Sequence, residues 1–121
     1  MKYEISDAEM EIMNILWKSN QEVTSAQINV NLPKSNDWKP STLLTLCKRL
    51  EDKGFVKRRK EGKINYYLPL VSREEYKALQ TQLFFKEIHS GSFQSLMASL
   101  HNSAALSKQD VEELKRWLKG V

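Results

Sequence analysis

The sequence predicts a mostly α-helical fold with one small β-hairpin: three short helices and the hairpin, then a tail of three further helices. Three observations carry that expectation. Apolar residues recur at helical spacing in six segments. Four of those segments open on a hydroxyl residue with an acid or amide three positions later, at Ser6-x-x-Glu9, Thr24-x-x-Gln27, Ser72-x-x-Glu75 and Ser107-x-x-Asp110. The one stretch whose residues alternate between faces is interrupted by a glycine, Gly62.

The first helix runs from about Asp7 to Lys18 behind the Ser6 cap. Ile12, Met13, Leu16 and Trp17 form its buried face, with Glu9, Glu11 and Lys18 largely on the other side. The second opens at Thr24 and turns Ile28 and Leu32 inward, until Pro33 stops it. Pro40, suited to a first helical position, introduces the third, which runs to Lys53 and closes on Gly54. Leu43, Leu46, Cys47 and Leu50 fall at i, i+3, i+4 and i+7 on its core face, while Ser41, Thr45, Lys48 and Asp52 lie opposite, flanked by Thr42 and Arg49. Phe55–Arg59 and Ile64–Leu68 read as two strands joined by Lys60-Glu61-Gly62-Lys63, a hairpin with a basic tip. Three short helices followed by such a hairpin is the order of a winged helix-turn-helix.

Pro69 ends the second strand, and a helix from Ser72 to about His89 follows, with Tyr76, Leu79, Leu83, Phe84 and Ile88 apolar. Gly91 breaks the chain. Phe93, Leu96, Met97 and Leu100 form the apolar stripe of the next helix, and Val111, Leu114, Trp117 and Leu118 that of the last. Residues 1–71 are thus expected to be a winged DNA-binding domain and 72–121 a helical dimerisation domain. The tail is too small to bury three apolar stripes alone. Its expected dimer core is Leu79, Leu83, Phe84, Ile88, Phe93, Leu96, Met97, Leu100, Leu114, Trp117 and Leu118, covered by a second copy in a two-fold homodimer.

Composition narrows the functions. The 121 residues, 40% hydrophobic and 28% charged, suit one ordinary folded domain or a small one with an appendage. One cysteine allows no intrachain disulfide and no Cys-rich zinc site, which fits a reducing compartment. The start is too acidic and interrupted for a secretory leader, and no apolar run approaches the roughly 20 residues of a membrane span, so a cytoplasmic protein without membrane insertion is expected. No Ser-His-Asp set, paired carboxylates, HExxH or Gly-rich phosphate loop appears, so no enzyme is expected. His89 and His101 lack accompanying ligands, so neither metal nor other cofactor is expected. Cys47, inside a leucine stripe, reads as a small buried hydrophobe, and Trp17 and Trp38 read as packing anchors.

Charge is unevenly placed. Residues 1–38 carry 3 basic and 6 acidic side chains, residues 39–63 carry 9 and 3, and residues 64–121 carry 7 and 6. A central block of net +6 is the footprint of a surface facing a polyanion, although a solvated basic face would look the same. The neighbouring hairpin favours double-stranded DNA. Short hydroxyls near a helix N-terminus, here Ser41 and Thr42, suit close approach to a groove, where they bond base edges or phosphates. Arg49, one to two turns further along, meets backbone phosphate. So do Arg58, Arg59, Lys60 and Lys63 on the wing, unless their charge only blunts an edge strand. Tyr66 and Tyr67 alternate faces, one toward the core and one toward the nucleic acid.

The chain resembles the penicillinase and methicillin-resistance repressors, the BlaI/MecI family, which includes copper-responsive relatives. The resemblance runs nearly end to end. It lies in Ser6-x-Ala8-Glu9-x-x-Ile12-Met13-x-x-x-Trp17, in Trp38-x-Pro40-x-Thr42-x-x-Thr45-Leu46-x-x-Arg49-Leu50-x-x-Lys53-Gly54, in Tyr66-Tyr67 followed by Pro69-Leu70-Val71, in Gly91-x-Phe93, and in Leu106-Ser107 leading to Glu112-Glu113-Leu114. It implies a homodimeric bacterial repressor that binds inverted repeats in the promoters it silences. In the family, positions matching Ser41 and Thr42 approach bases, and those matching Thr45 and Arg49 hold phosphates; Lys48, on the same outer face, joins the expected phosphate contacts. The sequence departs at Leu44, where relatives often carry a basic residue. Resistance-type members are inactivated by cleavage in the penultimate helix after signalling by a membrane metalloprotease sensor. The matching bond here is Ser99–Leu100, in place of their Asn–Phe pair. The Cys-x-Cys hook of the copper-responsive members is absent. On the residues alone, a winged-helix protein-interaction module and a non-specific DNA-binding protein remain open beside the repressor.

Overall fold

The computed structural model describes residues 4–121; residues 1–3, part of the start compared above with a secretory leader, lie outside the described residues. The elements in chain order are α1 (Asp7–Lys18), β1 (Val23–Thr24), α2 (Ser25–Asn31), α3 (Pro40–Asp52), β2 (Val56–Glu61), β3 (Ile64–Pro69), α4 (Arg73–Glu87), α5 (Phe93–Asn102) and α6 (Lys108–Lys119). Two compact units result, one through Gln80 and one spanning Thr81–Val121, so the division falls inside α4.

In the first unit the expected capping chemistry is present. Ser6 Oγ accepts from the Glu9 amide at 3.1 Å while Glu9 Oε1 accepts from the Ser6 amide at 3.0 Å, and Thr24 and Gln27 repeat the exchange at the head of α2. The C-terminus of α3 is equally well specified. The Phe55 amide donates to the Leu50 carbonyl and the Gly54 amide to that of Glu51, with Gly54 at φ +84°. This is the Schellman arrangement, in which the left-handed residue reverses the chain and the flanking apolar residues, here Phe55 and Leu50, pack together fully buried.

The hairpin departs from expectation in two ways. Its turn is tighter: Glu61 pairs with Ile64, leaving Gly62 and Lys63 as a two-residue loop with Gly62 at φ +62°. The sheet also has a third strand, because Val23 and Thr24 pair antiparallel with Tyr67 and Tyr66, giving the order β1-β3-β2. Two residues carry too little pattern to announce a strand, and Thr24 already serves as the α2 cap. The core gathers between sheet and helices around Ile12, Met13, Leu16, Ile28, Leu50 and Phe55. Trp17 anchors the edge, its indole donating to the Val71 carbonyl at 2.9 Å while its ring meets Tyr76.

Glu9 corrects the reading of α1. Expected outside, it is only 2% exposed and accepts from Lys53 Nζ at 2.8 and 3.0 Å. The reason is geometric: positions 9, 12, 13 and 16 share one face, so Glu9 heads the apolar stripe and is kept there by a cation arriving from the end of α3.

In the second unit, Ser92 and Ser107 cap α5 and α6. The corner between α4 and α5 is closed by His89, which is buried, with Nδ1 2.9 Å from Ser95 Oγ and its ring edge-on to Phe84. No described residue of α4, α5 or α6 is buried. Phe84, Ile88, Phe93, Trp117 and Leu118 are all at least half exposed, Trp117 at 66%.

Candidate nucleic-acid interface

The candidate surface is built on α3. Its core face is held by Leu43, Leu46, Cys47 and Leu50, all buried, which leaves Ser41, Thr42, Leu44, Thr45, Lys48 and Arg49 exposed on the other side. Pro40 occupies the first turn and Lys39 gives no side-chain cap, so the helix begins without a competing side chain over its end. Ser41, Thr42, Thr45 and Arg49 border one open groove together with Leu46, so four of the expected contacts are brought together. The Thr45 hydroxyl donates to the Ser41 carbonyl at 2.9 Å, turning its methyl group away from that bond.

Pairing sorts the cations. Lys48 lies 3.0 Å from Asp52, one turn on. Arg58 Nε is 3.4 Å from Glu51 Oε1 and its terminal nitrogen 3.4 Å from Asn65 Oδ1, so the wing is tied to the side of α3. Arg59 points to the opposite face of the hairpin and is fully engaged by Glu22, Glu61 and the ring of Tyr66. Arg49, Lys60 and Lys63 make no ion pair among the described residues, and all three are exposed. Tyr67 is the core tyrosine and Tyr66 the outer one, stacked against Arg59.

Sequence reading did not find the role of Glu22. Glu22 and Arg59 are 37 positions apart, and only the pairing of β1 with β3 brings them together. Cys47 is buried as expected, and burial pushes its thiol up to about 11, far from thiolate chemistry near neutrality. No group of three metal-ligating side chains occurs among the described residues, and no helix there is long and apolar enough to cross a membrane.

Three helices, a short strand and a basic hairpin, with a hydroxyl-rich helix face beside the wing, define a winged helix-turn-helix DNA-binding protein. The family model described as Penicillinase repressor matches residues 5–120, and the chain belongs to that family of DNA-binding transcriptional repressors, which are not enzymes. The methicillin resistance regulatory protein MecI of Mammaliicoccus sciuri is 36% identical over 116 residues, covering 96% of this chain and 94% of that one. The penicillinase repressor of Bacillus licheniformis is 29% identical over 111 residues, 92% of this chain and 86% of that one. The solution structure of the DNA binding domain of the repressor BlaI matches with a TM-score of 0.54 and 35% identity, covering 63% of this chain and 94% of that one.

Proposed function

We propose that the chain represses transcription as a homodimer on an inverted-repeat operator in a bacterial promoter, and that repression ends when a protease or another signal acts on the tail. The observation that carries this reading is the outer face of α3, where Ser41, Thr42 and Thr45 stand exposed in one groove with Arg49, which like Lys60 and Lys63 of the wing makes no ion pair among the described residues. Hydroxyls suit base edges and cations suit phosphates. Thr45, Lys48 and Arg58 complete the proposed backbone contacts, and Arg59, held by Glu22 and Glu61, is proposed to join them only when Glu22 releases it.

The dimer reading rests on the second unit. Helices with no buried residue and with Phe84, Ile88, Phe93, Trp117 and Leu118 half or more exposed need a cover, and a two-fold copy supplies the same helices in return. Such a dimer sets its reading helices about 34–36 Å apart, or a multiple of that. Release follows from linkage, because one winged unit alone loses the high effective concentration of the second contact. The Ser99–Leu100 bond lies within α5, with Ser99 exposed, and is the proposed target of a membrane metalloprotease sensor acting in trans.

The test is a gel shift of the full chain on promoter-derived and random duplexes at two salt concentrations. Tight, salt-dependent preference for one promoter duplex is expected. Equal affinity for all duplexes would make the protein a non-specific binder, and salt-independent or absent binding would leave an interaction module.

A further inference from the structure

Leu44 is the one large apolar side chain on the outward face of α3 among the described residues, and it is 44% exposed. It falls in a stripe with Ser41, Thr45 and Lys48, at i, i+3, i+4 and i+7, so it sits in the middle of the proposed reading surface. It also lines two separate grooves. One runs along α2 and the start of α3, with Asn29, Pro40 and Leu43. The other runs toward the wing, with Lys48, Arg58, Asn65 and Tyr67. Leu44 is therefore the ridge between them, flanked by hydroxyls before it and cations after it.

We propose that Leu44 determines specificity by packing against the C5-methyl group of a thymine in the major groove. This rests on the DNA-reading role proposed above for α3. A leucine has nothing to offer a phosphate, and thymine carries the apolar group that a standard base presents in that groove. Packing a methyl against Leu44 removes apolar surface from water on both partners. A cytosine amino group or a purine edge set against the same side chain would lose its water and gain no hydrogen bond. Attraction to thymine and a penalty on the alternatives thus act together. The flanking charges steer a polyanion to this face, with Lys48 one turn beyond Leu44 and Arg49 beside it.

The experiment starts with the full-length protein and a randomised duplex pool. From the enriched duplex, each thymine is replaced in turn by deoxyuridine, which removes only the methyl group, and affinity is measured at fixed salt. At one thymine per half-site, uracil should weaken the wild type about fourfold, the worth of one buried methyl. Leu44→Ala should bind the thymine and uracil duplexes equally at that position, while its urea unfolding midpoint, measured beside that of the wild type, reports an intact fold. Indifference of the wild type to uracil at every position would overturn the proposal, as would a uracil penalty undiminished in Leu44→Ala. Failure of the wild type to enrich or bind any duplex would instead overturn the DNA-reading role of α3, and this proposal with it.

Discussion

Arg59 grips Glu22 along one edge of its guanidinium, with Nε 3.0 Å from Oε2 and a terminal nitrogen 3.0 Å from Oε1. The other terminal nitrogen reaches Glu61 at 2.8 Å, and the Tyr66 ring lies 4.2 Å from the guanidinium carbon. The hydrogen bonds from Arg59 hold the Glu22 carboxyl below the usual carboxylate range. A guanidinium engaged by two oxygens in one plane presents to Glu22 the geometry that it would present to a phosphate. The wing thus already holds an internal anion on Arg59, in the geometry that a phosphate would take.

Glu22→Gln should release that fork. Binding to random duplex at low salt is expected to tighten, and the plot of log affinity against log salt should steepen by about 0.9, one further phosphate contact. Affinity titrations at four salt concentrations measure this. An unchanged slope would mean that Arg59 does not reach the duplex even when freed.

Thr42 and Arg49 border the same groove but should fail differently. Thr42→Ala is expected to cost about 1–3 kcal/mol on the preferred duplex and little on random DNA, whereas Arg49→Ala should weaken both and flatten the salt slope by about 1. Parallel losses for Thr42→Ala on the two duplexes would remove its base-reading role.

The Glu9–Lys53 pair links stability to pH. Burial pushes the Glu9 carboxyl up, but hydrogen bonds from Lys53 and from the Ser6 amide and hydroxyl outweigh it, and the net shift is downward from 4.5. A carboxyl depressed on folding stabilises the fold above its unfolded value, and that contribution is lost as pH falls below 4.5 through the folded value. Glu9→Gln should cost about 2 kcal/mol at pH 7, less than a wholly buried pair because a quarter of the Lys53 side chain stays exposed. The gap between variant and wild type in urea midpoint should narrow steadily below pH 4.5. Replacing both partners, Glu9→Leu with Lys53→Met, should land within about 1 kcal/mol of wild type, since no charge is then stranded.

Leu96→Asp tests the tail. A carboxylate placed among apolar stripes that need a cover should shift the protein from dimer to monomer in sedimentation and lower operator affinity by about 10²–10⁴-fold through lost linkage. A dimer with wild-type affinity would exclude α5 from the interface and weaken the case for release at Ser99–Leu100.

The parts of this molecule that can be read from its sequence are those whose partners lie within a few residues. The bounds of α1 follow from Ser6, Glu9 and one stripe, and the end of α3 from Gly54, because a cap and a left-handed residue are local chemistry. What escaped reading lies far along the chain. Lys53 and Glu9 are 44 positions apart, Arg59 and Glu22 are 37 apart, and β1 exists only because β3 is there to pair with it. The outer face of α3 was legible as a surface, since Leu43, Leu46, Cys47 and Leu50 leave the remaining positions outside. The pairing of Lys48 with Asp52 is local, but the engagement of Arg58 and Arg59 was not legible, because it depends on where the sheet brings the hairpin beside Glu51 and Glu22.

Gly54 and Phe55 make the connection between the reading helix and the wing almost free of slack. The strand starts at Val56, with only Gly54 and Phe55 between it and the helix cap at Lys53, and the turn between them is pinned by two amides and by the packing of Phe55 on Leu50. Helix and hairpin therefore behave as one calliper with fixed jaws. For a duplex bound as proposed, the spacing between the contacts of α3 and those of the wing would be fixed by this joint before any DNA arrives.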